Sequence, residues 1–116
     1  MTDKFAIFGN PVAQSKSPQI HNQFAEQFGL QIDYQRIYST EEQFTDDLLK
    51  FFTQGAVGCN VTAPFKEQAF KACNQLTEKA QRARAVNTVF RQPDDSLLGH
   101  NSDGIGLVTD LSLIHI

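Results

Sequence analysis

The sequence predicts an α/β fold: a mostly parallel sheet with one antiparallel hairpin and helices on both faces. Three observations carry this. Short strand-like segments alternate with segments of helical period along the chain. Two of the strand segments, 4–8 and 56–61, are nearly continuous apolar runs, the pattern of strands covered on both faces. Near the end, Pro93-Asp94-Asp95-Ser96 separates two strand-like runs by a tight turn, which makes them a hairpin.

Each element has a local reason. The run 4–8 ends at Gly9, and Asn10-Pro11 opens a loop. Ser17-Pro18 starts a helix: serine caps, and proline fits the first turn, where a missing N–H costs nothing. Ile20, Phe24 and Phe28 then recur at a spacing of four and predict one buried helix face, closed by Gly29. Residues 34–38 form a strand. Ser39-Thr40-Glu41-Glu42 reads as a capping box, and Phe44, Leu48, Phe51 and Phe52 as the buried stripe of a second helix stopped by Gly55. After the strand 56–61, Pro64 starts a helix running to about residue 74. Thr77 caps a short helix over 78–84. Residues 86–92 and 97–100 are the hairpin strands, and another helix begins near Gly104.

Length and composition set bounds. A chain of 116 residues without a repeat or a Gly/Ser/Pro-rich linker predicts one domain. It buries about two-thirds of its unfolded surface, enough for a core without staples. A net charge of -3 leaves no footprint for nucleic acid. No apolar run approaches the roughly 20 residues of a membrane helix, and the N-terminus lacks a signal-peptide core. Cys59 and Cys73 make no disulfide framework, and no Cys/His cluster has metal spacing, so no metal site is expected. The expectation is a soluble protein of a reducing, cytoplasmic compartment. Ten phenylalanines and no tryptophan predict a Phe-filled core.

Ligands of open α/β sheets bind outside the strand C-terminal ends. Four segments follow strands here, all rich in small polar residues. In 9–17, Ser15 and Ser17 flank Lys16 just before a helix N-terminus, a setting for an anion such as a carboxylate. Ser17 alone is better explained as a cap; for the pair, a cap with a Ser15 loop hydrogen bond and an anion site explain the residues equally. In 60–66, Asn60 and Thr62 share one side of an extended segment and suit the hydroxyls of a polyol. Lys66 follows one short turn later; a solvated lysine is its ordinary state, yet a first-turn lysine opposes the helix dipole, which hints at another role. Asn60-Val61-Thr62 also matches a glycosylation sequon, discounted without a signal peptide. The remaining segments, Ala85-Val86-Asn87-Thr88 and Asn101-Ser102-Asp103-Gly104, are ordinary turn vocabulary taken singly.

Other candidates fail. Gly104-Ile105-Gly106 begins like a dinucleotide fingerprint, but Thr109 replaces the third glycine and no βαβ unit follows. His21 is expected on a helix surface, His100 ends a strand without a nucleophile to serve, and Cys59 is expected to be a buried, inert thiol. A Lys66/Asp103 pair can move a proton on a hydroxyl or carbonyl.

Taken together, Phe8-Gly9-Asn10-Pro11, Ser15-Lys16-Ser17-Pro18, Asn60-Val61-Thr62-Ala63-Pro64-Phe65-Lys66, Ala85-Val86-Asn87-Thr88 and Asn101-Ser102-Asp103-Gly104 resemble the shikimate dehydrogenase family, in its order and spacing, over about residues 4–111. The resemblance implies an NADP-dependent oxidoreductase of aromatic amino-acid biosynthesis that reduces 3-dehydroshikimate to shikimate. It implies that residues 1–111 are the substrate-binding domain, Ser15 and Ser17 hold the carboxylate, and Asn60, Thr62 and Asn87 bond the ring hydroxyls. Lys66 and Asp103 become the catalytic pair, with Asp103 also on substrate and Glu78 near the cofactor. Ser102 stands where the family often has threonine. Residues 112–116 depart from the family and read as a foreign tail, and the family's NADP-binding Rossmann domain is expected to be absent. The fragment alone is therefore expected to be inactive, with an apolar patch left exposed for self-association. Two alternatives stand beside this: a quinate/shikimate dehydrogenase paralogue, and a non-catalytic small-acid binding module.

Overall fold

The computed structural model describes residues 3–12 and 17–102, apart from the side chains of residues 17 and 24. In chain order the elements are β1 (Asp3–Gly9), α1 (Ser17–Gln27), β2 (Ile32–Tyr38), α2 (Phe44–Thr53), β3 (Gly58–Val61), α3 (Lys66–Ala72), β4 (Gln75–Leu76), α4 (Glu78–Ala83), β5 (Thr88–Arg91) and β6 (Leu97–His100). The strands form one six-stranded sheet in the order β2-β1-β3-β5-β6-β4. β1 lies parallel to β2 and to β3, and β4 parallel to β6. Only β5 is reversed, antiparallel to β3 on one side and to its hairpin partner β6 on the other. The sheet is thus mostly parallel, with the hairpin in its expected place.

The side-chain period of two sorts the strands onto two faces. Ala6 and Phe8 of β1, Cys59 and Val61 of β3, Val89 and Leu97 pack with Phe44, Leu48 and Phe52 of α2, Ala69 of α3 and Ala80 of α4. Phe5, Ile7, Tyr34 and Phe90 make the second cluster. That face carries α1, whose His21 ring stacks on Tyr34 at 4.7 Å and 13°. The Phe-filled core is real: Phe8 meets Phe44 edge-on at 5.7 Å and Phe51 at 5.5 Å, and Phe44 stacks on Phe65 at 4.6 Å. Such pairs contribute about 0.5–1.5 kcal/mol each beyond their buried area.

Several boundaries differ from expectation. The predicted stripe of α1 is rotated: Ile20 and Phe28 are exposed at 59% and 64%, while Pro18, His21 and Ala25 face inward. His21 is therefore no surface histidine. Its ring finds an aromatic partner on β2, and that contact outweighs the apolar spacing that set the expected phase. The cap of α2 is also shifted. Thr40, not Ser39, takes the capping bond, its Oγ1 accepting from Gln43 N at 3.2 Å, and the helix proper starts at Phe44. Ser39 is buried and donates instead to Asp47 at 2.6 Å. α3 is shorter than predicted, starting two residues after Pro64. β4 was not expected, because two residues carry no readable period.

Other expectations match. α1 and α2 are followed by Gly29 and Gly55, at φ +68° and +98°. Thr77 caps α4, its Oγ1 accepting from Ala80 N at 3.3 Å. The helix expected near Gly104 and the tail 112–116 lie outside the described residues.

Candidate functional site

Because β5 is reversed, its first residue lies at the same sheet edge as the last residues of β1, β3 and β6. Backbone bonds latch these ends together. Thr62 N donates to Phe8 O at 2.9 Å, and Asn10 N to Ala63 O at 3.1 Å. Val61 N donates to Asn87 O at 2.8 Å, Asn87 N to His100 O at 3.1 Å, and Val86 N to Lys66 O at 3.0 Å. Asn60, Thr62, Lys66, Asn87 and the 101–102 segment are thereby gathered at one edge, although they are up to about forty residues apart in the chain.

Their surroundings differ in kind. The Asn87 carboxamide is a local clamp. Its Nδ2 donates to Ser102 O at 2.9 Å, while its Oδ1 accepts from Ser102 N and from Thr88 Oγ1, both at 2.9 Å. Asn101 Nδ2 donates to Ala85 O at 3.1 Å. These bonds fix the loop that leads to Asp103. Thr62 closes on Gly9: a Cβ there would stand 2.5 Å from Thr62 Cγ2, so only glycine lets the β1 end approach. Lys66 is exposed at the first position of α3. Glu78, the first residue of α4, is exposed and ion-paired with Arg82. His100 Nδ1 lies 2.9 Å from Thr77 Oγ1.

Ser15, Lys16 and Asp103 lie outside the described residues, as does the side chain of Ser17, whose backbone opens α1. Four of the predicted residues, Asn60, Thr62, Lys66 and Asn87, are brought to one edge. Sequence reasoning missed Tyr34 and His21. The Tyr34 hydroxyl donates to Asn60 Oδ1, and His21 hydrogen-bonds the same side chain. The available signal was weak: Tyr34 is the one buried residue of the edge strand β2, and a buried tyrosine hydroxyl needs a partner.

Burial holds the His21 imidazole below its ordinary 6.5, with the Asn60 hydrogen bond opposing part of that. As pH falls through 6.5 the unfolded chain takes up the proton first, so the fold loses stability below that pH and the loss levels off once folded His21 is protonated. Urea midpoints at pH 7.5 and 5.5, compared between the wild type and His21→Gln, check this. The wild type is expected to lose more than the variant on acidification; equal losses contradict it.

Burial disfavours the thiolate form of both cysteines. Burial pushes Cys59 well above the usual thiol range, with Cys73 adding to the effect, and burial raises Cys73 to about 12. Among the described residues no group of three or more His, Cys, Asp or Glu is placed to hold a metal ion, and no helix is long and apolar enough to cross a membrane. A cavity of about 530 Å³ opens at the opposite end of the sheet, lined in part by Leu49, Phe52, Arg91 and Leu97, and contains none of these site residues.

Residues 7–89 match the family model of the shikimate dehydrogenase substrate binding domain. Among solved structures, the chain is similar to an Ael1 enzyme from Pseudomonas putida, with a TM-score of 0.85 and 38% identity over 95% of this chain and 40% of that one. It is similar to a shikimate 5-dehydrogenase from Mycobacterium fortuitum, at 0.82 and 34% over 89% and 38%. It is similar too to the Thermus thermophilus shikimate 5-dehydrogenase solved with NADP(H) and shikimate, at 0.82 and 34% over 98% and 43%. The chain thus spans about 40% of the length of these relatives.

Proposed function

The chain belongs to the family of shikimate dehydrogenase substrate-binding domains, and on that premise we propose that its strand-end cleft binds shikimate and 3-dehydroshikimate for an NADP-dependent dehydrogenase. In this reading residues 1–111 are the substrate-binding domain, and 112–116 are a tail outside it. Ser15 and Ser17 take the carboxylate at the start of α1. Asn60, Thr62 and Asn87 meet the ring hydroxyls, which both donate and accept. Lys66, with Asp103, moves the proton at the reacting oxygen. The supporting observation is the gathering of Asn60, Thr62, Lys66 and Asn87 at one sheet edge, latched by the Val61–Asn87 and Val86–Lys66 backbone bonds.

The cofactor is held elsewhere. Among the described residues no glycine-rich turn joins a strand to a helix N-terminus, the arrangement that cradles a dinucleotide pyrophosphate. Glu78 is assigned to the rim facing it. When bound, the nicotinamide supplies the hydride; this chain supplies substrate orientation and the proton. In this reading the protein acts in the cytoplasm, in aromatic amino-acid biosynthesis, and self-associates through the apolar surface left exposed without the rest of the family's chain.

Calorimetric titration with shikimate, quinate and a hydroxyl-free cyclohexenecarboxylate tests the reading. Shikimate is expected to bind, and the hydroxyl-free acid about tenfold or more weakly, the equivalent of one or two hydrogen bonds. Equal affinity for the two acids contradicts it, and preference for quinate moves the assignment to the quinate/shikimate paralogue.

A further inference from the structure

Asn60 differs from the other polar residues of the cleft in what lies behind it. The Asn87 carboxamide is tied within its own loop, to Ser102 and Thr88. The Asn60 carboxamide is tied instead across two strands and a helix. Its Oδ1 accepts from the Tyr34 hydroxyl of β2, and it is also hydrogen-bonded by His21 of α1. Both partners are buried, Tyr34 at 5% and His21 at 5% exposure, and their rings lie almost parallel at 4.7 Å. A stacked pair held between helix and sheet has little rotational freedom, so the position of the hydroxyl oxygen is set by packing.

We infer that His21 and Tyr34 are positioning residues for Asn60: they hold its carboxamide oxygen inward, so that its Nδ2 donors are the end offered to a substrate hydroxyl. The two ends of a carboxamide diverge, so fixing the oxygen on Tyr34 turns the nitrogen away from it. An untethered asparagine presents either end, and a hydroxyl facing it gains no preference between donating and accepting. The tether removes that freedom before binding and so lowers the ordering cost of the complex. It also explains the buried histidine of α1, which the apolar spacing of that helix does not. The inference rests on the reading of the cleft as a hydroxyl-binding site.

The test is a double-mutant cycle on this chain with shikimate as the probe, together with side-chain amide spectra taken without ligand. Tyr34→Phe keeps the ring and its stack on His21 but removes the hydroxyl. It is expected to keep the wild-type backbone spectrum, to shift the Asn60 side-chain amide resonances while those of Asn74 and Asn87 stay in place, and to weaken shikimate binding about fivefold. Asn60→Ala is expected to weaken binding about tenfold or more. Tyr34→Phe added to Asn60→Ala is expected to cost nothing further, because the hydroxyl then has nothing to orient. Additive losses, or an Asn60 resonance indifferent to Tyr34→Phe, overturn the positioning role. Moved Asn60 resonances in a chain whose Asn60→Ala variant binds shikimate like the wild type support the tether and overturn the substrate reading on which its use depends.

Discussion

Replacing Lys66 by alanine, in an enzyme in which this chain is joined to its family's cofactor-binding domain, is expected to lower kcat by about 10²–10⁴-fold, the range of general acid–base catalysis. Shikimate affinity is expected to change little. The separation follows from position. Lys66 is the first residue of α3, exposed at the sheet edge, while Asn60, Thr62 and Asn87 occupy the strand ends beside it. Its own contribution to the scaffold is a main-chain carbonyl that accepts from Val86 N, and alanine keeps that bond. The variant should therefore fold and bind as before. Steady-state kinetics with a parallel shikimate titration read the split. A similar loss in turnover and affinity would assign Lys66 to binding alone and favour the non-catalytic small-acid module.

The second large effect is on stability. Phe8→Ala is expected to cost about 3–5 kcal/mol, the usual penalty for emptying a fully buried phenylalanine site. Phe8 is completely buried and meets Phe44 and Phe51 edge-on, so it joins β1 to α2. A domain of this size has about 5–15 kcal/mol in all, so the melting temperature should fall by more than about 10 °C. The same residue supports the cleft, since its carbonyl accepts from Thr62 N at 2.9 Å. Leu30→Ala, at a position 49% exposed, is the control and should change stability by less than about 1 kcal/mol. Thermal unfolding of the two variants checks both. A Phe8→Ala shift no larger than that of Leu30→Ala contradicts this account of the core.

How far the sequence reaches can be judged from particular residues. The apolar runs, the glycines after α1 and α2 and the Thr77 cap are local signals, and most strands, the ends of α1 and α2, the start of α4 and the hairpin follow from them, while the two-residue β4 does not. The α2 stripe was legible because a Phe-rich face had a single way to be buried. The α1 stripe was not, because period alone gives a phase only relative to a partner. Here the partner is Tyr34 on β2, and it selects His21 over Ile20. Asn60, Thr62, Lys66 and Asn87 were legible as polar residues after strands, since topology sends such segments to one edge. The Tyr34–His21 support of Asn60 was not, because it joins three elements that no short spacing relates.

The central claim is that the strand-end cleft recognises shikimate. Amide-shift NMR of the 116-residue chain, titrated with shikimate, tests it most directly. The account predicts shifts around Asn60, Thr62, Lys66 and Asn87, with the residues near Arg91 and Leu97 at the far end of the sheet unmoved. A well-dispersed spectrum in which shikimate moves nothing, or moves only the Arg91–Leu97 end, would contradict it.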